Sequence, residues 1–556
     1  MAEATAAAAA PGEPTIDPNS FDLIVSGTGL GGSLIAAAAA ACGKSVLHVD
    51  PNPYYGAHFA SLSPPSLASA LHQGAPPATP PAQPPSDPSD HVAVGLEPRR
   101  LYSHVEVSGE VPEPSRGFLL DLSGPRVLYC ADPAVDVMLR SGASHHVEFK
   151  SVDASLVYWG GRLQTVPDSR EAIFKDRSLG LTEKSQMMRF LKLVREHIGL
   201  EGRGGEEASK VSEEDLEIPF VAFLEKQKLP PKIKSIVLYA IAMADFDQDN
   251  PECCEKLMNT KEGLASLSLY SLSIGRFPNA VGALIYPIYG QGELPQAFCR
   301  CAAVKGALYV LRMPISSLLF DKEERGYKGV RLATGQDIFS HRLLMDPSSV
   351  VPPFLSPDSK NVVEIGQGSS MASKVARLVC MTRSSLHPEL SNILIVFPPK
   401  SLFPGQKASV RALQLGSSVA VCPPGFFVVY ISVKCNDAIQ GKEHVLSAMN
   451  SLFKFPGEDD DAKGGTDSQC EYSETSNNES TDEPKPILLW RALYVQELTQ
   501  VTVGSISSPP MPDGNLDYKC LLESTQKLFH GMYPQEEFLP ATLTPQDNDE
   551  DAISQD

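Results

Sequence analysis

No stretch of this chain strings together the 18 or so uninterrupted apolar residues that a membrane-spanning helix needs. The alanine run Ala36–Ala41 is too short, and Lys44 follows it closely. Positive charge is scarce as well: 47 Lys and Arg stand against 67 Asp and Glu, a net charge of −20. Nucleic acid and anionic membrane both select basic surfaces, so neither is expected as the main partner, and a basic or charge-mixed protein surface fits better. The eleven cysteines are an odd number without a Cys-x-x-Cys pair, which speaks for reduced thiols in the cytosol and against a zinc site. The first residues lack the basic segment and leucine-rich core of a secretory signal. There is no Gly-x-Ser-x-Gly, His-Glu-x-x-His or P-loop signature, and of the twelve histidines only His145 and His146 are adjacent, each being read as a surface or packed residue. No late strand–Gly-Asp–helix element of the kind that closes many flavin sites is apparent. The stretch 417–435 carries Pro423-Pro424-Gly425 instead.

What is present begins with length: 556 residues, 42% of them apolar, are too many for one ordinary core and predict two or more domains. The spacing predicts a strand over 21–27, a glycine turn, a helix over about 30–42 and a strand over 44–50. Gly27-x-Gly29-x-x-Gly32 sits between strand and helix, the context a dinucleotide loop requires. Gly27 permits the tight turn, Gly29 lets backbone approach a pyrophosphate, and Gly32 lets helix and strand pack closely. Asp50 ends the next strand, where an acid would take ribose hydroxyls. The alternative is that these glycines serve only turn and packing.

Residues 1–18 and an acidic tail (541–556) read as disordered, a proline-rich insertion (74–98) as an exposed insertion or linker, and an acidic insertion (457–485) as a solvated loop. Between Glu458 and Pro484 there are ten acidic side chains against one lysine. Strand-like text with a Gly160-Gly161 hairpin turn leads into helical spacing. "TEKSQMMRFLKLVREHIG" places Met188, Leu191 and Val194 on one face, with the helix starting near Thr182. "FVAFLEKQKLPPKIKSIVLYAIAMADF" adds two helices broken at Pro230-Pro231. The expected organisation is α/β: a discontinuous Rossmann-type domain (19–168 and 262–540) with mixed sheets, and a smaller all-α domain (169–261).

The most informative segment is "LIYPIYGQGELPQAFCRCAAVKGALYVLRMPI", a strand, Gly290-x-Gly292, a helix, a Gly306 turn and a strand. Glu293, Gln296 and Arg300 follow at helical spacing and share one polar face, while Leu294, Phe298 and Ala302 pack. Three such side chains beside a double-glycine turn suggest a recognition surface rather than plain solvated helix.

"GTGLGGS…GKSVLHVDPNPYYG" together with "YPIYGQGELPQAFCR" resembles the family of Rab GDP-dissociation inhibitors and Rab escort proteins, over about 20–345 and more weakly to 540. "NPYYG" followed by Phe59–Ser61 and a proline-rich insertion is similar to the escort branch, as are "KPILLWRALY" and "STQKLFHGMYPQEEFLP". The resemblance implies a FAD-oxidase-like fold used as a binding platform without flavin or other cofactor. It implies a Rab-binding surface at Tyr55, Glu293, Gln296 and Arg300, with Leu308 and Val310 at its edge. It implies as partners GDP-bound Rab GTPases, the αβ heterodimer of Rab geranylgeranyltransferase, the geranylgeranyl lipid of the product and, transiently, a membrane. Tyr270 stands where the family inserts an aromatic residue into the transferase; it reads equally as a helix packing residue. "IVLYAIAM" and "FLKLV" are candidate walls for the lipid. Ala57 and Ala307 stand where the family usually has glycine. The rival readings are a recycling inhibitor of prenylated Rabs and a flavin-dependent oxidase or desaturase.

Overall fold

The computed structural model describes residues 15–72, 90–167, 170–176, 179–199, 211–251, 257–350, 373–455 and 485–541. The strand Ser20–Ser26 is apolar and buried over Leu23–Ser26 because sheet neighbours and helices cover both its faces. It pairs in parallel with Val46–Asp50, Leu23 opposite Val46 and Val25 opposite His48, after crossing over through the helix Leu30–Ala41. Leu308–Leu311 adds to the outer side of Val46–Asp50, and Asp337–Leu344 to the other side of the first strand, both in parallel. An antiparallel run of Tyr327–Leu332, Ile315–Asp321 and His91–Gly95 extends the sheet. Two short strands, Thr502–Val503 and Ile506–Ser507, complete its nine.

The second sheet has eight strands, in the order 162–165, 154–159, 393–397, 410–415, 427–435, 374–382, 488–497 and 102–109. Its central strands are continuous apolar runs because both faces are covered. Ile393, Ile395 and Val429 pack under the helix Ala438–Leu452, whereas Leu394, Val396, Leu413 and Val428 share a core with the helical unit. Helices and sheet therefore share one hydrophobic core, and among the described residues the helices have no separate core of their own.

Several boundaries differ from those expected. The helix Thr260–Ser273 runs straight through position 261, started by a capping box in which Asn259 accepts the Glu262 N–H (2.7 Å) and Glu262 accepts the Asn259 N–H (3.0 Å). His91–Gly95 is a sheet strand rather than part of a linker: its alternating Val92 and Val94 were masked by the neighbouring prolines. Ile16 is likewise ordered, its N–H and C=O held by Gln336 at 2.8 and 2.7 Å. In the helix Leu181–His197 the buried stripe is Met187, Phe190 and Val194, with Met188 and Leu191 half-buried. Both stripes satisfy helical spacing, and the position of the core selects the one carrying Phe190. That helix starts at Gly180, whose N–H is accepted by Glu183 at 2.8 Å. The Gly160-Gly161 turn is a hairpin with φ of 61° and 83°, as a left-handed two-residue turn requires. The acidic insertion and tail lie outside the described residues except at their ends.

Two buried arginines tie the late segment 512–517 to the eight-stranded sheet and to the turn at 123–126. Arg377 donates to Gln496 (2.8 Å) and to the carbonyls of Ser123 (2.7 Å), Gly124 (2.9 Å) and Pro512 (3.2 Å). Arg126 donates to the Asp517 carbonyl at 2.7 Å and pairs with Asp513. Burial pulls the Arg377 guanidinium down to about 10, still charged at neutral pH. Its removal strands several buried carbonyls, so Arg377→Ala should cost about 3 kcal/mol or more. Chemical denaturation read by circular dichroism checks this; a loss below about 1 kcal/mol would contradict it.

Candidate functional site

The glycine loop has the geometry of a dinucleotide turn but not its vacancy. Gly27 adopts φ of 86°, and a methyl placed on it would lie 2.5 Å from Asp346 Oδ2. Burial works to raise the Asp346 pKa, but the His58 charge at 3.3 Å and bonds from Ser348 outweigh it and hold the carboxyl below its usual range. A carboxylate thus stands beside the turn that would cradle a diphosphate. Asp50, the residue that would take a ribose, is fully buried and already engaged. Its Oδ2 accepts the Thr28 N–H and hydroxyl, both at 2.6 Å, and its Oδ1 accepts the Asn52 N–H at 2.8 Å. Burial pulls His48 down to about 4, and the neutral ring donates to the Gly27 carbonyl at 2.8 Å.

The late closing element that the sequence did not reveal is present as Ile506–Ser507, a loop and the helix Lys519–Met532. It carries Pro509 and Pro510, and a methyl on Gly31 would meet Pro510 at 2.9 Å and Pro509 at 3.2 Å. Leu30, Gly31 and Gly32 are all buried. The residues present do not fit a bound dinucleotide: the phosphate-binding helix end is capped by prolines, the ribose acid is spent, and an anion sits at the turn.

On the other side of that helix lie the residues expected to form a recognition surface. Leu294, Ala297, Phe298 and Ala302 bury one face of the helix Glu293–Val304 against Leu30, Leu34 and Ala38. The opposite face holds Glu293 and Gln296, half-buried, and Arg300, exposed. Burial raises the Glu293 pKa and the Arg300 charge opposes it. Burial likewise raises that of Tyr55, again with Arg300 opposing. Arg300 is therefore near enough to both to be felt by each. The Tyr55 ring lies 6.3 Å from that of Tyr309, which in turn packs 4.8 Å from His48. Leu308 is 38% exposed and Val310 half-buried on the edge strand of the nine-stranded sheet. Ala57 takes φ of 44°, a left-handed conformation that glycine adopts more readily, whereas at Ala307 the left-handed residue is the preceding Gly306.

The two platform segments meet at a buried carboxylate. Asp121 Oδ1 accepts the Ser61 hydroxyl (2.6 Å) and the Gln291 N–H (3.0 Å), and its Oδ2 accepts the Tyr286 hydroxyl. Ser61 also accepts the Gly292 N–H at 2.9 Å. Burial pushes Asp121 up to about 6 against these hydrogen bonds. Gly290, at φ of 104°, could not carry a methyl, which would lie 2.3 Å from Ser61 Oγ. The second double-glycine turn is thus shaped around a serine.

Other expected residues fall elsewhere. Tyr270 is 8% exposed and packs in the main core, so it is a packing residue; Leu272, two positions on, is 49% exposed. Ile236–Ile241 is a buried π-helical turn, and Phe190 and Val194 pack in the same core. An apolar cavity of about 230 Å³ lies outside the helical unit, lined by Val135, Met138, Leu139, Phe149, Phe277 and Ile285 among others. Its walls are scattered from 135 to 285, beyond the reach of local pattern. Tyr289 was also missed: it is 56% exposed, next to Gly290, with φ of 73°, a costly conformation for an aromatic residue and one that marks functional loops. Among the described residues no three His, Cys, Asp or Glu side chains converge as metal ligands, and no helix is long and apolar enough to cross a membrane.

The sequence model of the GDP dissociation inhibitor family matches residues 17–107 and 89–452. The chain is 52% identical to Rab escort protein 1 of Arabidopsis thaliana, covering 97% of both chains. It is 26% identical to the Rab proteins geranylgeranyltransferase component A of Drosophila melanogaster, over 95% of this chain and 92% of that one. The crystal structure of a Rab GDI from Plasmodium falciparum superposes with a TM-score of 0.66 at 16% identity, covering 93% of this chain and 99% of that one, a likeness of fold. On these relationships the chain belongs to the GDP dissociation inhibitor family, on its Rab escort protein branch.

Proposed function

We propose that this protein escorts Rab GTPases in the cytosol as a non-catalytic component of Rab geranylgeranylation. It binds newly made, GDP-bound, unprenylated Rab and presents its flexible C-terminal cysteines to a separate αβ transferase. It then keeps the lipidated product soluble and delivers it to a membrane. The placement of Glu293, Gln296 and Arg300 along the polar face of one helix, with Tyr55 within reach of the Arg300 charge, carries this reading. A half-buried aromatic ring beside an exposed arginine is the composition of an interface hot spot. Preference for the GDP form follows if the platform reads switch loops whose order depends on the nucleotide.

A geranylgeranyl chain left in water forgoes on the order of 10 kcal/mol at about 0.8 kcal/mol per CH₂, so the product needs an apolar host. The cavity between Pro133–Ser141 and the segment around Phe277 and Ile285 supports a path for the apolar tail of the product. Leu272, exposed just ahead of the Gly275 turn, supports a transferase contact on that helix in place of the buried Tyr270.

A recycling inhibitor would share the platform but require the lipid on its Rab. In an assay of Rab, the αβ transferase and labelled geranylgeranyl diphosphate, label should enter Rab only when this protein is added. Absence of stimulation would move the reading to the inhibitor. Arg300→Ala and Tyr55→Ala should each weaken binding of GDP-loaded Rab by about 2–4 kcal/mol, measured by calorimetry; unchanged affinity in both would move the surface elsewhere. Added FAD should leave the melting temperature unchanged and no band near 450 nm should accompany the purified protein. A true FAD site at 100 times its Kd would add about 2.7 kcal/mol.

A further inference from the structure

We propose that Ser61 and Asp121 are positioning residues of the GTPase-binding platform, a pair that holds the Tyr55 loop and the helix Glu293–Val304 in one fixed relation. This rests on the reading of that platform given above. Tyr55 and Ser61 lie on one short run of chain, Tyr55 entering a 3-10 turn at Ala57–Phe59 that leads directly into Ser61. Gln291 and Gly292 immediately precede Glu293. The two runs touch through Ser61 Oγ, which donates to Asp121 (2.6 Å) and accepts from Gly292 (2.9 Å).

Asp121 closes the arrangement from below. Ser61 and Asp121 are opposed in a short antiparallel ladder, and the same carboxyl oxygen that takes the Ser61 proton also takes the Gln291 N–H at 3.0 Å. Tyr286, at the end of the strand that leads into Gly290, binds the other oxygen, so the carboxyl group is held on both sides. The Asp121 N–H is itself bonded to the Tyr430 hydroxyl at 3.0 Å, which anchors the pair to the eight-stranded sheet. Asp121 is fully buried and cannot touch a partner. There is no slack either: a methyl on Gly290 would overlap Ser61 Oγ at 2.3 Å and one on Gly292 the Ser61 nitrogen at 2.9 Å. In close-packed surroundings of this kind a lost hydrogen bond is answered by a shift of backbone. The backbone here carries Tyr55 on one side and Glu293, Gln296 and Arg300 on the other.

The test uses the full-length protein, unprenylated GDP-loaded Rab, and the variants Ser61→Ala, Asp121→Ala, Asp121→Asn and Ser61→Ala with Arg300→Ala. Affinity and dissociation rate are measured for each, with a melting curve. Wild-type protein that does not bind Rab refutes the platform reading itself; once it binds, the variants decide the clamp. Asp121→Ala is expected to weaken binding about 30-fold and Ser61→Ala about tenfold, chiefly through faster dissociation. Asp121→Asn keeps an acceptor for Ser61 and Gln291 and should recover most of what Asp121→Ala loses. In the Arg300→Ala background the Ser61→Ala loss should shrink to about twofold, because a contact it positions is gone. Overturning results are a Ser61→Ala loss below about twofold, or one that multiplies in full with Arg300→Ala as an independent site would. If Asp121→Ala does not fold, Ser61→Ala and its double variant give the decision.

Discussion

One packing constraint governs the molecule: the helix Leu30–Ala41, largely of alanine and glycine, is buried from Leu30 to Ala40. Small side chains let three neighbours approach it at once, the parallel sheet beneath, the helix Glu293–Val304 on one flank and the helix Lys519–Met532 on another. A helix with large residues on any of these faces would push one neighbour away. The approach of the second neighbour brings Arg300 to Tyr55, and the approach of the third brings Pro509 and Pro510 onto Gly31. Platform and closed glycine loop are two results of the same close packing.

The closed loop shows how a glycine turn of Rossmann type is filled from within the chain. The backbone turn has the left-handed φ at Gly27 that such a loop uses. What differs is the supply of partners for the polar groups that a ligand would satisfy. Asp50 is satisfied by Thr28 and Asn52, and Asp346 by His58 and Ser348, within the chain itself. A buried polar group that already has its hydrogen bonds gains little from a ligand. Rigidity gained in this way benefits a protein-binding surface, which loses less entropy on association when its side chains are already set.

Much of this was legible in the chain text. Gly27, Gly29 and Gly32 between a strand and a helix announce the Rossmann-type start, and the i, i+3, i+7 spacing of Glu293, Gln296 and Arg300 announces a shared polar face. These are local, periodic signals. The strand His91–Gly95 was hidden because proline density dominates its neighbourhood. Tyr270 was ambiguous because an aromatic residue on a helix can face either way until the core is located. The closing element was missed because it bears prolines where Gly-Asp is looked for.

The sequence by itself determined the strand–helix–strand start over residues 21–50 and the polar face of the platform helix, since each depends on residues within a few turns of one another, and the family, through two such local motifs. Only the tertiary structure decided that the glycine loop is filled, that Ser61 and Asp121 meet the double-glycine turn, and where the apolar cavity lies. Those facts join residues 60 to 479 positions apart in the chain, as Ser61 with Asp121 and Gly31 with Pro510. No periodicity records such a meeting, because burial and hydrogen-bond supply are settled only when separate elements pack.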